Sequence, residues 1–254
     1  MSHLPITIGH EVAGVVPAVG EGVPGLAVGD RVGVRSGVDG GFAQYIAVPA
    51  NHVVQAPDGI PFSHLAVGGD AGMIAYRAVA VRGGVGKGTR VGIIGLGGLG
   101  CSGLQIATML GAEVYAAEPR TVLHDRARAW GARDVFDGPE AFAGLELDVI
   151  VDFAGFGTTV ATAVANVRAE GSVMLVGAGE GAATINTMLL VMNKVSLLGH
   201  QGASADDLRA YWDFVARGLD PVVTEIGFDE IAKGLDKLRR HEVVGRLVAV
   251  LGDT

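Results

Sequence analysis

Residues 90–100 of the 254-residue chain read RVGIIGLGGLG. The run Arg90–Gly95 is apolar and short, as expected for a buried strand, and a helical pattern extends from Gly98 to about Leu110. Between them, Gly95–Gly100 matches the pattern G-x-G-x-x-G. A strand, a glycine turn and a helix in this order are the context in which that pattern predicts a dinucleotide-binding loop.

Apolar strands alternate with helices on both sides of this loop. Such alternation is typical of a parallel sheet covered on both faces, and it predicts a doubly wound α/β Rossmann domain over residues 81–218. The further strands predicted here are Glu113–Glu118, Asp134–Phe136, Asp148–Phe153, Ser172–Gly177 and Val195–Gly199. The further helices predicted here are Val122–Trp130, Thr158–Val167 and Ala205–Arg217.

The two ends of the chain have a different pattern. Residues 1–80 show short strands between Gly, Asp and Pro turns, which predicts a small antiparallel or barrel-like β domain. Residues 219–254 hold a helix and a final strand, which we expect to return to this first domain. The predicted elements of the two ends are strands Val12–Val16, Arg31–Val34, Phe42–Val48 and His52–Gln55, helix Phe228–Arg240 and strand Arg246–Leu251.

Each glycine of the loop has a physical role in holding a pyrophosphate. The first permits the tight turn, the second allows the backbone to approach the phosphates, and the third lets the helix pack on the strand. The helix N-terminus adds free N–H groups and the positive end of the helix dipole. The alternative is a glycine-rich turn without a ligand. The candidate cofactor-binding residues of the loop are Gly95, Gly97, Gly98, Leu99 and Gly100.

Two charged residues after the next strand bear on the choice of cofactor. Glu118 lies 21 positions after Gly97, close to the spacing at which an acidic residue accepts hydrogen bonds from the adenosine ribose. A carboxylate there repels a 2′-phosphate and favours NAD. Arg120 can instead pair with that phosphate and favour NADP. We predict NAD, with NADP as the alternative.

Composition limits the classes of partner. The net charge of −8 argues against nucleic acid and anionic membranes as partners, and the apolar runs are too short and broken to span a bilayer. The first residues lack the pattern of a signal peptide, so we expect a cytoplasmic protein. The one cysteine, Cys101, lies on the first Rossmann helix, where a packed core thiol is expected.

Several short motifs occur in a fixed order along the chain. They are Gly9-His10-Glu11 with Val12-Ala13-Gly14, Gly29-Asp30-Arg31-Val32, Gly40-Gly41-Phe42-Ala43-Gln44-Tyr45, Asp70-Ala71-Gly72 with Tyr76, the glycine loop, Gly131-Ala132 and Gly245-Arg246. Together they resemble the medium-chain dehydrogenase/reductase superfamily, in its zinc-type alcohol dehydrogenase branch. The resemblance extends over essentially the whole chain.

The resemblance implies a GroES-like catalytic domain built from both ends of the chain, a Rossmann domain between them and an active site in the cleft. It implies NAD(P)-dependent transfer of hydride between a small-molecule alcohol and its aldehyde or ketone, by a homodimer or homotetramer. It also places a pyrophosphate-binding arginine at Arg246, for which an ordinary salt bridge is the alternative. Gly177 and Gly179 follow an apolar strand and are candidates for contact with the nicotinamide, although ordinary turns also explain them.

The chain departs from the family pattern at the metal site. It begins almost at Gly9-His10-Glu11, so the segment that carries a cysteine ligand and a proton-relay hydroxyl in relatives is absent from this sequence. The link between Asp30 and Phe42 is too short for the lobe that holds a structural zinc. Asp70 stands where many relatives have cysteine. The candidate metal and catalytic residues are therefore His10, Asp70 and Glu11, a set expected to bind zinc weakly; the alternative is a hydrogen-bonded, metal-free remnant.

Two other functions are also consistent with the sequence. The first is a zinc-independent reductase of quinone or enone double bonds, against which the pair His10 and Glu11 argues. The second is a non-catalytic dinucleotide-binding protein, which the incomplete first domain with its unpaired strand edges would suit.

Overall fold

The computed structural model describes residues 5–252, and these form two compact units. The first unit comprises the described residues up to Ile74 together with those from Gly202 onward. The second unit comprises Ala75–Gln201.

The second unit is built on a parallel sheet of six strands with the order β6-β5-β4-β7-β8-β9. This is the strand order of the Rossmann fold, with β4 at the point where the order reverses. The predicted α/β class is therefore confirmed. The strands are β4 (Arg90–Ile94), β5 (Glu113–Ala117), β6 (Asp134–Phe136), β7 (Leu147–Asp152), β8 (Val167–Leu175) and β9 (Ser196–Gly199).

Helices between the strands cover this sheet and close its core. Phe142, Leu147 and Ile150 are fully buried in one apolar cluster, and Leu189 and Leu190 pack against it. The cluster explains why the strands lack polar alternation, because both of their faces are covered. The helices of this part are α3 (Gly98–Met109), α4 (His124–Ala129), α5 (Gly157–Asn166) and α6 (Thr187–Met192).

The first unit contains two small sheets. Strands β1 (Val12–Val15), β2 (Arg31–Val34) and β3 (Val53–Gln55) form an antiparallel sheet in which Val12 pairs with Val34 and Val32 with Gln55. The second sheet is a parallel pair in which Val223 lies opposite Arg246. Its strands are β10 (Val223–Gly227) and β11 (Arg246–Val250), and helix α8 (Ile231–Arg239) connects them.

The predicted strand Phe42–Val48 is wrong. Residues 42–48 are all described, and they form no strand. The Phe42 N–H donates to Ile8 O at 2.9 Å and the Gly41 N–H to Gly9 O at 2.8 Å, but no ladder continues from these bonds. Tyr45 is 78% exposed. Alternating apolar residues become a strand only beside a partner strand, and residues 5–252 provide none for this segment.

A helical segment that the sequence analysis did not predict follows β3. It consists of α1 (Phe62–Val67), a π-helical turn (Gly68–Gly72), α2 (Met73–Tyr76) and a second π-helical stretch (Arg77–Arg82). Three glycines lower its intrinsic helix propensity. Packing accounts for them, because a Cβ at Gly68 would lie 2.5 Å from Trp212 Nε1 and a Cβ at Gly72 would overlap the Tyr211 ring.

Helix α7 (Ala205–Ala216) belongs to the first unit, whereas the sequence analysis placed it at the end of the Rossmann domain. Its Trp212 is 1% exposed, and the indole N–H donates to Leu65 O at 3.3 Å. Periodicity identified this helix but not the surface that covers its apolar face. No helix among residues 5–252 is long and apolar enough to cross a membrane.

We expect Trp212→Ala to lower the free energy of unfolding of the first unit by about 3–5 kcal/mol, because it empties a fully packed position. Trp130→Ala, which truncates the chain's half-buried second tryptophan in the other unit, should cost about 1 kcal/mol or less. Urea denaturation followed by circular dichroism compares the two variants. Equal losses would contradict the packing described for α7.

Candidate cofactor loop and candidate active-site cluster

The turn between β4 and α3 has the geometry that the glycine pattern predicts. Gly95 has a φ of +83°, which favours glycine. A Cβ at Gly100 would overlap the carbonyl oxygen of Gly95, so the first turn of α3 lies directly on the end of β4. At Gly97, in contrast, a Cβ would meet nothing within 4 Å. Gly95 is thus required by its backbone conformation and Gly100 by packing, whereas Gly97 leaves open space.

This open space is where a pyrophosphate would fit. Gly97 is the N-cap of α3, and no side chain caps the free N–H groups there. The first turn of α3 includes Gly98 and Leu99 and carries no acidic residue that would repel phosphate. A helix of 12 residues that begins with uncapped N–H groups provides a site for an anion. The described residues therefore fit a dinucleotide.

Glu118 and Arg120 hold the peptide groups on both sides of Leu96. The Leu96 N–H donates to Glu118 Oε2 at 2.7 Å, and Leu96 O accepts from Arg120 Nη2 at 3.1 Å. Arg120 also forms a bidentate pair with the carboxylate, with Nε at 2.7 Å from Oε1 and Nη2 at 3.0 Å from Oε2. The Glu118 side chain is buried, with 3% of its surface exposed. The pair therefore keeps the middle of the loop in one conformation.

The environment of Glu118 keeps it ionised. Burial raises the pKa of its carboxyl group, but hydrogen bonds from Arg120 and the Leu96 N–H, with the charge of Arg120, outweigh burial and lower the pKa. The stability that this carboxylate contributes is fully present above the ordinary glutamate pKa of about 4.3. It is lost as the pH falls through the lowered pKa of the folded state.

Gly177 and Gly179 lie in the loop after β8. A Cβ at Gly177 would overlap the backbone of Ala154, and one at Gly179 would lie 2.8 Å from Ala154 O. Packing against the loop after β7 thus accounts for both glycines, and their contact with a nicotinamide stays a prediction.

Asp152, the last residue of β7, was not among the site residues predicted from the sequence. It is fully buried; Oδ1 accepts the N–H groups of Ala154 and Gly155 at 2.9 Å each, and Oδ2 accepts the Thr159 hydroxyl at 2.7 Å. The carboxylate thereby shapes the loop at the carboxyl end of this strand. A lone aspartate that ends an apolar strand is the signal that would have identified it.

In the first unit, His10 and Asp70 come together from distant parts of the sequence. His10 precedes β1 and Asp70 lies in the π-helical turn, yet His10 Nε2 lies 3.6 Å from Asp70 Oδ2. A Cβ at Gly69 would overlap Val34 O, so glycine lets this turn approach the end of β2. The His10 side chain is 49% exposed and that of Asp70 is 24% exposed, so solvent or a ligand can reach both.

Both carboxylate oxygens of Glu11 have partners other than His10 and Asp70. Its Oε1 accepts the Ala71 N–H at 2.9 Å, and its Oε2 pairs with Arg246 through Nε at 3.0 Å and through Nη2. Of the two roles considered for Arg246, the structure contains the salt bridge; the contact with a pyrophosphate stays a prediction. Glu11 therefore positions the turn that carries Asp70.

These residues do not fit a catalytic zinc site. Zinc requires three protein ligands and an open position, and no group of three or more candidate ligands occurs within residues 5–252. His10 and Asp70 form a pair, and both oxygens of Glu11 have other partners. Cys101 is buried, and its thiol donates to Leu96 O at 3.2 Å, as expected for a packed core thiol.

Comparisons with known proteins agree with this architecture. The family described as alcohol dehydrogenase GroES-like domain matches residues 1–58, and the family described as zinc-binding dehydrogenase matches residues 98–217. A probable formaldehyde dehydrogenase of Bacillus subtilis (strain 168) is 30% identical over an alignment that covers 96% of this chain and 81% of the relative. The chain belongs to the zinc-type alcohol dehydrogenase family of medium-chain dehydrogenases/reductases.

Solved structures give the same result. The alcohol dehydrogenase of the archaeon Aeropyrum pernix superimposes with a TM-score of 0.88 at 28% identity, covering 98% of this chain and 83% of that one. The acetophenone reductase of Geotrichum candidum, solved in complex with NAD, has a TM-score of 0.86 at 27% identity, covering 97% and 81%.

The loop geometry predicts that one glycine variant loses cofactor binding and that another loses stability. Gly97→Val should abolish NADH binding, because its side chain fills the open space. It should change stability by no more than about 0.5 kcal/mol, because a φ of −79° suits valine. Gly100→Val should lower stability by about 1–3 kcal/mol through its overlap with Gly95.

NADH fluorescence titration and thermal denaturation of both variants provide the measurements. Unchanged NADH affinity in a folded Gly97→Val protein would contradict the cofactor assignment of the loop.

Proposed function

We propose that the protein is an NAD(H)-dependent oxidoreductase that transfers hydride between a small alcohol and its aldehyde or ketone. The observation that carries the proposal is the turn at Gly95–Gly100, in which α3 packs tightly on β4 while the space at Gly97 stays open. The NAD complex of the similar acetophenone reductase supports the choice of cofactor. The bound cofactor supplies or accepts the hydride.

The chain's own residues have two tasks in this reaction. The loop orients the pyrophosphate through the uncapped N–H groups of α3. We assign the second task, transfer of a proton to or from the substrate oxygen, to the His10 imidazole, whose Nε2 lies 3.6 Å from the Asp70 carboxylate. A positioned general acid or base contributes about 10²–10⁴-fold to rate. Zinc has no role in these proposed steps, because the described residues do not form its ligand set.

The engagement of Glu11 favours a second candidate function. Reduction of a quinone or enone double bond needs no Lewis acid on an alcohol oxygen. It can therefore proceed in a site that lacks three metal ligands. The exposed His10–Asp70 pair favours the alcohol reaction, because reduction of a carbonyl needs a proton at oxygen.

We further propose that the chain forms a homodimer through the β9 edge of the second unit. Strand β9 is a terminal strand of the six-stranded sheet, and an exposed strand edge is a template for pairing with another chain. Helix α6 precedes it with Met188, Val191 and Met192 exposed by 60–70%. Exposed apolar side chains grouped beside a strand edge are typical of an interface between subunits.

The function is tested with alcohols and NAD, and with ketones, aldehydes and enones and NADH. We expect turnover of an alcohol–carbonyl pair that falls about 10²–10⁴-fold in His10→Ala, while NADH affinity is retained. His64→Ala is the control, because that histidine lies outside the His10–Asp70 pair. Metal analysis of the wild-type protein and of His10→Ala should find less than one zinc per chain.

Three outcomes contradict parts of this proposal. Turnover of enones alone supports the second candidate function. NADH binding without turnover of any substrate supports a non-catalytic dinucleotide-binding protein. One zinc per chain that is lost in His10→Ala shows that a further ligand completes the metal site.

Light scattering tests the proposed dimer. Val191→Asp with Met192→Asp should convert it to a monomer, because two charges in an apolar interface would be desolvated without partners. Val122→Asp, at a valine 78% exposed elsewhere in the same unit, should leave the dimer intact. A mass that is the same in all three proteins at one concentration would contradict the assignment of this surface.

A further inference from the structure

The hydrogen-bonding capacity of the Glu118 carboxylate is fully used within the protein. A carboxylate has about four acceptor positions, two on each oxygen. Oε1 accepts from the backbone N–H of Arg120 at 3.0 Å and from Arg120 Nε at 2.7 Å. Oε2 accepts from the Leu96 N–H at 2.7 Å and from Arg120 Nη2 at 3.0 Å. The carboxylate therefore has no acceptor position left for the hydroxyls of an adenosine ribose.

The charge of this carboxylate is also compensated at close range. Arg120 forms two parallel hydrogen bonds with it, the geometry in which a guanidinium binds a carboxylate most strongly. Glu118 is buried, whereas the Arg120 side chain that pairs with it is partly exposed. The repulsion that a buried but uncompensated carboxylate would exert on a 2′-phosphate is thereby reduced.

One guanidinium nitrogen of Arg120 remains available to donate hydrogen bonds to a ligand. Its Nε and Nη2 are engaged with Glu118 and Leu96 O, whereas Nη1 has no hydrogen-bond partner among residues 5–252. The side chain is 38% exposed. It follows the carboxyl end of β5, the strand next to β4, and ligands of Rossmann sheets bind at this edge.

We infer that Arg120, and not the Glu118 carboxylate, contacts the adenosine ribose, so that the site accepts the 2′-phosphate of NADP(H) as well as NAD(H). In this assignment Arg120 determines cofactor specificity through Nη1, and Glu118 is a positioning residue that holds Arg120 and Leu96. The inference rests on the proposed cofactor function of the loop.

Equilibrium binding of the two reduced cofactors tests the inference without any substrate. Both NADH and NADPH should bind to the wild-type protein in fluorescence titrations at fixed ionic strength. Their dissociation constants should agree within about tenfold, the effect of one charge-assisted hydrogen bond gained or lost. A dissociation constant for NADPH more than about tenfold above that for NADH overturns the inference.

Substitution of Arg120 tests the residue itself. Arg120→Gln should raise the ratio of the NADPH to the NADH dissociation constant by about tenfold or more, because only NADPH carries the 2′-phosphate that pairs with the guanidinium. Arg133→Gln is the matched control, because Arg133 Nε pairs with Glu113 at 3.2 Å at the opposite end of β5. This control removes the same charge from the same unit and should leave both affinities unchanged.

A second variant guards against misfolding of the first. Arg120→Gln leaves the buried Glu118 charge without its partner, which is destabilising. The double variant Glu118→Gln/Arg120→Gln removes both charges and retains an acceptor for the Leu96 N–H. Its ratio of NADPH to NADH dissociation constants should also rise by about tenfold over wild type. An unchanged ratio in this folded double variant overturns the assignment of Arg120.

The binding results also distinguish a failure of the proposed function from a failure of the inference about Arg120. If neither cofactor binds to the wild-type protein, the proposed function fails and the inference fails with it. If NADH binds and NADPH does not, the proposed function stands and the inference alone is wrong.

Discussion

The close approach of Gly100 to the carbonyl oxygen of Gly95 fixes the position of α3 on the sheet of the second unit. It brings the N-terminus of α3 directly onto the end of β4, the strand at which the order of the sheet reverses. Any side chain at Gly100 would lift the helix and move its free N–H groups. The open space at Gly97 exists because the backbone on either side of it is held by this contact and by the bonds to Leu96.

An ion pair positions backbone in each of the two units. In the second unit, Glu118 and Arg120 hold the peptide groups around Leu96. In the first unit, Glu11 accepts from the Ala71 N–H and pairs with Arg246, so it fixes the turn that carries Asp70 and ties the start of β1 to the start of β11. In both places the sequence pattern predicts a carboxylate that binds a ligand. In the structure each of these carboxylates binds a backbone N–H group and an arginine side chain. Partly buried charges are stable in these positions because each has a bidentate or multiply hydrogen-bonded partner.

The engagement of Glu11 has a chemical consequence for the exposed pair His10 and Asp70. Both oxygens of Glu11 already have partners in Ala71 and Arg246, and the described residues form no group of three candidate metal ligands. The pair retains the chemistry of an imidazole oriented by a carboxylate, which suits proton transfer at an oxygen atom. The proposed mechanism therefore uses His10 as a proton carrier and leaves hydride transfer to the cofactor.

The amino-acid sequence alone was sufficient to predict the Rossmann sheet and its glycine turn, because short apolar strands, helical periodicity and G-x-G-x-x-G are local patterns. It also identified β1, β2, β3, α8 and β11 closely. It failed where the outcome depends on a distant partner. Residues 42–48 have no partner strand within the part of the chain that the structure describes. The glycine-containing helical segment at residues 62–82 forms although its intrinsic propensity is low. Gly68 and Gly72 in that segment face Trp212 and Tyr211, which are more than 130 positions away in the sequence.

The same division holds for the candidate sites. Glu118 and Arg120 were predicted as cofactor-binding residues from their spacing along the chain, since both follow one strand. Only the tertiary structure decided that the four acceptor positions of Glu118 are used within the protein, that Glu11 is bonded to Arg246 and that Asp152 shapes a loop. The physical reason is that hydrogen bonds and burial depend on which atoms meet in space, and a linear pattern does not contain that information.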